Sequence, residues 1–170
     1  MDADARWERA NPGTAGFLLE NSPFYWLTRV SGRYLLQMER HLKAIGMDVP
    51  RWRVLMILAE HEPATITTLS ERSVVKLATM TRIVQRMVAD ALVRTEGSDT
   101  DGRVTQVRMT PAGREALARV RVEGSRVFAA TFDRTQAIEV EALVVQLHRL
   151  FDRLNSLPLP AAGRPAGGAR

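Results

Sequence analysis

The chain of 170 residues contains no cysteine, which excludes disulfides, thiol redox sensing and cysteine-ligated zinc. No apolar run approaches the roughly 18 residues needed to span a bilayer. The first residues, Met1-Asp-Ala-Asp-Ala-Arg, are acidic and lack an apolar centre, so they predict no signal peptide. Histidine occurs only at 41, 61 and 148. No two of these share metal-ligand spacing on one helix, and the neighbours in Glu60-His61-Glu62 point apart on a helix. Neither a metal nor a cofactor is expected. No nucleophile–base pair and no phosphate-cradling glycine loop stands at a recognisable spacing, so the sequence does not predict an enzyme. The expectation left by these absences is a cytoplasmic protein without a membrane partner.

What is present suits a globular domain with tails: 45% of residues are hydrophobic and 25% charged, enough of each for a core and a solvated surface. The formal charge is +5. Between residues 65 and 114 eight Lys or Arg face five Asp or Glu, so this stretch holds a net +3 of that excess. A mild basic balance is compatible with nucleic acid but common among proteins that bind none.

Periodicity divides the chain. Pro12, Gly13 and Gly16 predict an extended arm over residues 1–22. Ser22-Pro23 is a helix start, a capping hydroxyl followed by Pro at the first position. The helix runs to about Ala44 on a stripe of Leu27, Val30, Tyr34, Leu35, Met38 and Leu42, and Gly46 caps it left-handed. Pro50 opens a second helix, to about His61, which Glu62-Pro63 stops. Thr65 or Thr67 caps a third, Ile66 to Ser73, and a fourth spans about Lys76 to Asp90. Strands near 92–97 and 104–109 follow, then helices from Pro111 to about Phe132 and from about Thr135 to Leu154. Residues 156–170 are Pro, Gly and Ala with two Arg, too little apolar surface to fold, so a disordered tail is predicted.

Residues 65–114 are the most informative stretch. In order they give a short helix, a turn, a basic-faced helix, a strand, a charged hairpin tip and a return strand. That is a winged helix-turn-helix, which reads duplex DNA. The fold class expected is mainly α with a small β-hairpin wing. On the second of the two helices Met80, Ile83, Val84 and Met87 share one face; Thr79, Arg82, Gln85 and Arg86 share another. Gln suits adenine and Arg suits guanine in a major groove, while Lys76 and Thr81 suit phosphates. Any solvated helix face can show Arg and Gln; the capped helix before it and the wing after it favour DNA. At the wing tip, Asp99-Thr-Asp101-Gly-Arg103 puts Arg103 on a narrow turn with Asp101 placed to hold its guanidinium. An ordinary hairpin with a surface ion pair is the alternative.

These residues resemble the MarR (multiple antibiotic resistance regulator) family of bacterial transcription factors. The likeness rests on Leu69-Ser-Glu-Arg, Thr79-Met-Thr-Arg-Ile-Val, Leu92-Val-Arg, Asp101-Gly-Arg, Arg108-Met-Thr-Pro-Ala-Gly-Arg-Glu-Ala and Pro50-Arg-Trp-Arg-Val-Leu-Met-Ile-Leu, covering about residues 23–155. Two departures stand out: Val74-Val75 where the family often turns on Gly, and Lys76 where it usually has a capping Ser or Thr. The resemblance implies a homodimer on double-stranded DNA, with a lobe at about 50–114 and dimerisation helices at about 23–44 and 111–155. It also implies a pseudo-palindromic operator and release by a small molecule, commonly an aromatic acid or its thioester. Trp26, Ser31, Tyr34, Trp52, Arg53 and Met56 are the candidate ligand residues, an aromatic cage with one cation for a carboxylate. Ser31, on the apolar stripe, would need a partner for its hydroxyl. The alternative for the rings is core or dimer packing, and for Arg53 a surface position or a pair with Glu60 or Glu39. Phe24-Tyr-Trp-Leu-Thr-Arg-Val-Ser-Gly-Arg-Tyr with Pro50-Arg-Trp-Arg is similar to members that control catabolism of aromatic acids, indole-3-acetate among them. An aryl-CoA effector, or constitutive DNA binding without one, are the competing readings.

Overall fold

A computed structural model of the chain describes residues 2–97 and 105–158. Among these it holds seven α-helices and three strands: α1 Ala3–Ala10, α2 Pro23–Lys43, α3 Val49–His61, β1 Ala64–Thr65, α4 Ile66–Ser73, α5 Leu77–Ala89, β2 Val93–Gly97, β3 Thr105–Met109, α6 Pro111–Thr131 and α7 Ala137–Ser156. The strands form one antiparallel sheet in the order β1-β3-β2. β2 and β3 are in register from Val93↔Met109 to Gly97↔Thr105, and β1 adds Ala64↔Val107 on the other edge. The two-residue β1 carries no periodic signal, which is why the sequence predicts a hairpin only.

The chain forms two compact units, one ending at Val127 and one beginning at Phe128. The first holds the core. Met38 and Leu42 of α2, Leu55 and Leu58 of α3, Leu69 of α4 and Met80 and Met87 of α5 are fully buried there. In the second, the Phe128 and Phe132 rings meet at a tilt, centroids 5.1 Å apart. Asp133 caps the 3-10 turn Arg134–Gln136 that leads into α7, and α7 carries Ile138, Val144, Phe151 and Leu154 exposed.

Three sequence expectations are corrected. Residues 1–22 are not an extended arm. Asp2 accepts from the Ala3 amide at the start of α1, the Thr14 hydroxyl donates to the Glu8 and Asn11 carbonyls, and the Leu18 amide reaches the Arg9 carbonyl at 2.9 Å. Short-range polar bonds, to which hydrophobic periodicity is blind, fold the segment. Ser22 makes no side-chain cap; the start of α2 rests on Pro23 at the first position. Helix α3 begins at Val49, because Asp48 ahead of Pro50 caps it by accepting from the Arg51 amide at 2.9 Å. The tail beyond residue 158 and the wing tip at 98–104 lie outside the described residues.

Three helices end in the same way, with a left-handed residue and the following amide reaching back five residues. At α2 the residue is Gly46 (φ 71°), as the sequence predicts, with Met47 N–H on the Leu42 carbonyl at 2.9 Å. At α4 it is Val74 (φ 53°), with Val75 N–H on the Ser70 carbonyl, and at α5 it is Ala91 (φ 56°), with Leu92 N–H on the Met87 carbonyl. The helix-turn-helix turn therefore keeps its left-handed step although Val stands where a glycine is expected. The buried Ser70 hydroxyl closes it by donating to the Val75 carbonyl at 2.6 Å.

Candidate nucleic-acid interface

Helix α5 is amphipathic by sequence and is placed accordingly. Met80, Val84 and Met87 are buried, with Ile83 packed partly against the same core. At about 100° of rotation per residue, Ala78, Arg82, Gln85 and Ala89 fall on the opposite side, all exposed. Thr79 and Arg86 flank that line on one side and Thr81 on the other. Arg82 and Gln85 are the long polar side chains on the outward crest, and among the described residues neither makes a hydrogen bond or ion pair. They stand between two alanines, which leave room for a groove wall to approach.

The other predicted contacts are placed differently. The Thr81 hydroxyl donates to the Leu77 carbonyl one turn back at 3.0 Å, so its proton is already used within the helix. Lys76 sits at the N-cap of α5, exposed, and contributes no side-chain cap. Arg86 is half exposed, but its Nη2 donates to Asp48 Oδ2 at 2.8 Å. Asp101 and Arg103 lie outside the described residues. The wing base is held by a cross-strand pair between Glu96 and Arg108, with Arg94 Nη2 3.5 Å from the same carboxylate.

The segment from Thr110 to Arg114 fastens the wing to α6. The Thr110 hydroxyl accepts from the Gly113 amide at 3.0 Å and donates to the Ala91 carbonyl at 2.6 Å, and its amide reaches the Leu92 carbonyl at 3.1 Å. Arg114 clasps both oxygens of Glu62 at 2.8 and 3.2 Å, while Glu62 also accepts from the Met109 amide at 2.9 Å. This fork-on-carboxylate pair joins the end of α3 to the start of α6.

The candidate ligand residues separate into two groups. Tyr34 and Trp52 meet edge to face, centroids 6.1 Å apart. Burial pushes the Tyr34 phenol above its usual range, and the positive charge of Arg53 pulls the other way. Trp52, Arg53 and Met56 are half-buried on α3, and among the described residues Arg53 pairs with neither Glu39 nor Glu60. Trp26 belongs elsewhere: its Nε1 donates to the Glu20 carbonyl at 2.7 Å, Tyr25 stands edge-on at 5.4 Å, and Arg29 lies over both rings. It is eight residues from Tyr34, about 12 Å along the helix. Ser31 is exposed, as are Val30 and Tyr34. The upper half of the α2 stripe is open in the single chain, and the hydroxyl meets solvent without the cost of burial.

Sequence reasoning missed two polar clusters, because their members are far apart in the chain. The Glu123 carboxylate, buried on α6, is held by His41 Nδ1 of α2 at 2.9 Å and by Arg126 Nη1 at 2.5 Å. Asp48, Arg51, Arg86 and Asp90 form the other. Only Asp48 ahead of Pro50 left a readable signal, as a helix cap.

The compact sheet against α4 and α5, with a basic outward crest on α5, defines a winged helix-turn-helix DNA-binding protein. Comparison with known proteins gives the particular family. The sequence pattern of the MarR family matches residues 45–104. The HTH-type transcriptional repressor IacR of Pseudomonas putida is 44% identical over 147 residues, spanning 86% of this chain and 88% of that protein. A MarR-family regulator from Silicibacter pomeroyi superposes with a TM-score of 0.73 at 27% identity, covering 84% of this chain and 96% of the other. BpsR of Bordetella bronchiseptica, whose DNA binding is regulated by 6-hydroxynicotinic acid, has the same fold (TM-score 0.71, 18% identity, 80% and 97% covered). The chain belongs to the MarR family of transcriptional regulators. Among the described residues no helix is long and apolar enough to cross a membrane.

Proposed function

We propose that this chain is a cytoplasmic repressor that binds a palindromic operator as a homodimer and is released by a small aromatic carboxylate. The observation that carries the DNA reading is the outward crest of α5, where Arg82 and Gln85 are exposed and unengaged. Both can address base edges bidentately. Thr79 joins them from the flank. Lys76, beside first-turn amides that no side chain caps, suits a phosphate. By sequence, Arg103, with Asp101 two residues before it, is the candidate for the minor groove. The lobe spans about residues 50–114. The dimer is assigned to residues 23–44 and 111–155, whose apolar Val30, Phe128, Val144 and Phe151 are exposed in the single chain. A two-fold dimer sets two recognition helices about 34 Å apart, one turn of DNA.

For the effector, support comes from the Tyr34–Trp52 ring pair beside the half-buried, unpaired Arg53, with Met56 about one turn after Trp52 on α3 and Ser31 about one turn before Tyr34 on α2. An aromatic acid would set its ring against Trp52 and its carboxylate on the guanidinium fork. The indole-3-acetate or benzoate class fits this better than a CoA thioester, which has no free carboxylate for Arg53. The BpsR precedent, a heteroaromatic acid acting on DNA binding, points the same way. Ligand would select a dimer whose helices no longer match the operator; a hundredfold effect needs about 2.7 kcal/mol of coupling.

The test is fluorescence anisotropy of duplex from upstream of the chain's own gene, titrated with protein and challenged with indole-3-acetate, benzoates and cinnamates. Tight binding reversed by one acid is expected. Tight binding that no acid disturbs, while an aryl-CoA does, would replace the effector; absence of binding to any duplex would remove the DNA reading.

A further inference from the structure

Arg86 faces the DNA side by sequence, yet its guanidinium is committed to a network. Asp48, the cap of α3, uses Oδ1 to accept from the Arg51 amide at 2.9 Å. Its Oδ2 takes Arg86 Nη2 at 2.8 Å and lies 3.3 Å from Arg51 Nε. Arg51, only a fifth exposed, sends Nη1 to Asp90 Oδ2 at 2.9 Å and Nη2 to the Gly46 carbonyl at 3.3 Å. Two carboxylates and two guanidinia thus alternate from α5 to the start of α3 and back to the end of α5. Asp90 is the C-cap of α5, where a negative charge opposes the helix dipole. The Arg51 partner offsets that penalty.

We propose that Arg86 is a positioning residue: with Asp48, Arg51 and Asp90 it locks the C-terminal half of α5 to the N-terminus of α3, and it influences operator binding by fixing the setting of the helix rather than by touching phosphate. This rests on reading α5 as the recognition helix. Gln85 is its immediate neighbour. A bidentate base contact depends on distances of about 2.7–3.2 Å, so a small rocking of this half of α5 costs specific contacts. Backbone neutralisation, which tolerates many geometries, would be spared.

The substitutions Asp48→Asn, Arg86→Gln and the pair together separate this from direct contact. Asn caps a helix as well as Asp does, and Gln is a good helix former, so the fold is retained. Asp90→Asn breaks the network from its other arm. Operator affinity is measured by anisotropy across a salt series, beside an unrelated duplex of equal length. The expectation is a loss of about tenfold on operator in each single variant and no greater loss in the double, since both remove one interaction. Binding to the unrelated duplex and the salt slope should not change. A slope flattened by about 0.9 per phosphate contact in Arg86→Gln but not in Asp48→Asn, losses that multiply in the double, or full operator affinity in all variants would each overturn the proposal. Failure of the wild-type chain to prefer its operator would instead count against the recognition-helix reading.

Discussion

A methyl group at position 113 has nowhere to go. An ideal Cβ on Gly113 would lie 2.0 Å from the Leu92 carbonyl oxygen and 3.1 Å from its carbon. An ordinary carbon–oxygen contact is about 3.3–3.6 Å, so α6 and the Leu92 carbonyl ahead of β2 must part by more than about 1 Å. That oxygen accepts from the Thr110 amide at 3.1 Å, and the Thr110 hydroxyl donates to the adjacent Ala91 carbonyl at 2.6 Å. Separation stretches both bonds. Overpacking costs about 1–3 kcal/mol, two weakened hydrogen bonds about 1 kcal/mol each, and the better helix propensity of Ala returns about 1 kcal/mol. Gly113→Ala should therefore destabilise by about 2–4 kcal/mol. Urea unfolding at one fixed protein concentration checks this as a lowered midpoint with an unchanged slope. Val74→Gly reverses the logic. Val74 is 78% exposed and left-handed at φ 53°, a conformation that costs a β-branched residue about 1–3 kcal/mol. The extra freedom of unfolded glycine takes back about 0.5–1 kcal/mol. A net gain of roughly 0.5–2 kcal/mol is expected. If Gly113→Ala is as stable as the parent, the close approach is not a constraint; if Val74→Gly loses stability, the turn is not strained.

Arg82→Ala should weaken operator binding and relax base preference at one position per half-site, by about 1–3 kcal/mol per site; a binding-site selection that returns the parental preference would exclude it from base reading. Arg103→Ala should flatten the salt dependence by about one unit, and an unchanged slope would remove it from the interface. In a Tyr25→Phe background the phenol absorbance reports Tyr34 alone. Burial raises its pKa, so the fold favours the neutral phenol. That contribution is complete below the ordinary tyrosine range and is lost as pH rises through the raised value. Arg53→Gln removes the opposing charge and should move the titration higher still; no movement would place Arg53 away from the ring. The same variant should bind operator normally yet resist release by aromatic acids, and unaltered release would take Arg53 out of the effector site.

The amphipathic pattern of α5, the Thr65 cap, the left-handed Gly46 and the succession of β2 and β3 are local facts. Side chains close to one another in the chain decide them, so the helix-turn-helix, the two strands after it and the outward crest of α5 at Arg82 and Gln85 were legible in the sequence alone. Thr110, Gly113 and Arg114 stood in a recognisable motif, but the reason for each is tertiary: a cap tied to Ala91 and Leu92 just ahead of β2, a close backbone approach, a clasp on Glu62 from 52 residues away. The engagement of Arg86 by Asp48 spans 38 residues and the His41–Glu123 pair 82. Periodicity assigns a charged residue to a face but not to a partner, because partners meet only when helices cross. For the same reason Ser31, on the apolar stripe by spacing, proved exposed: a stripe says what could be buried, and the elements that reach it decide what is.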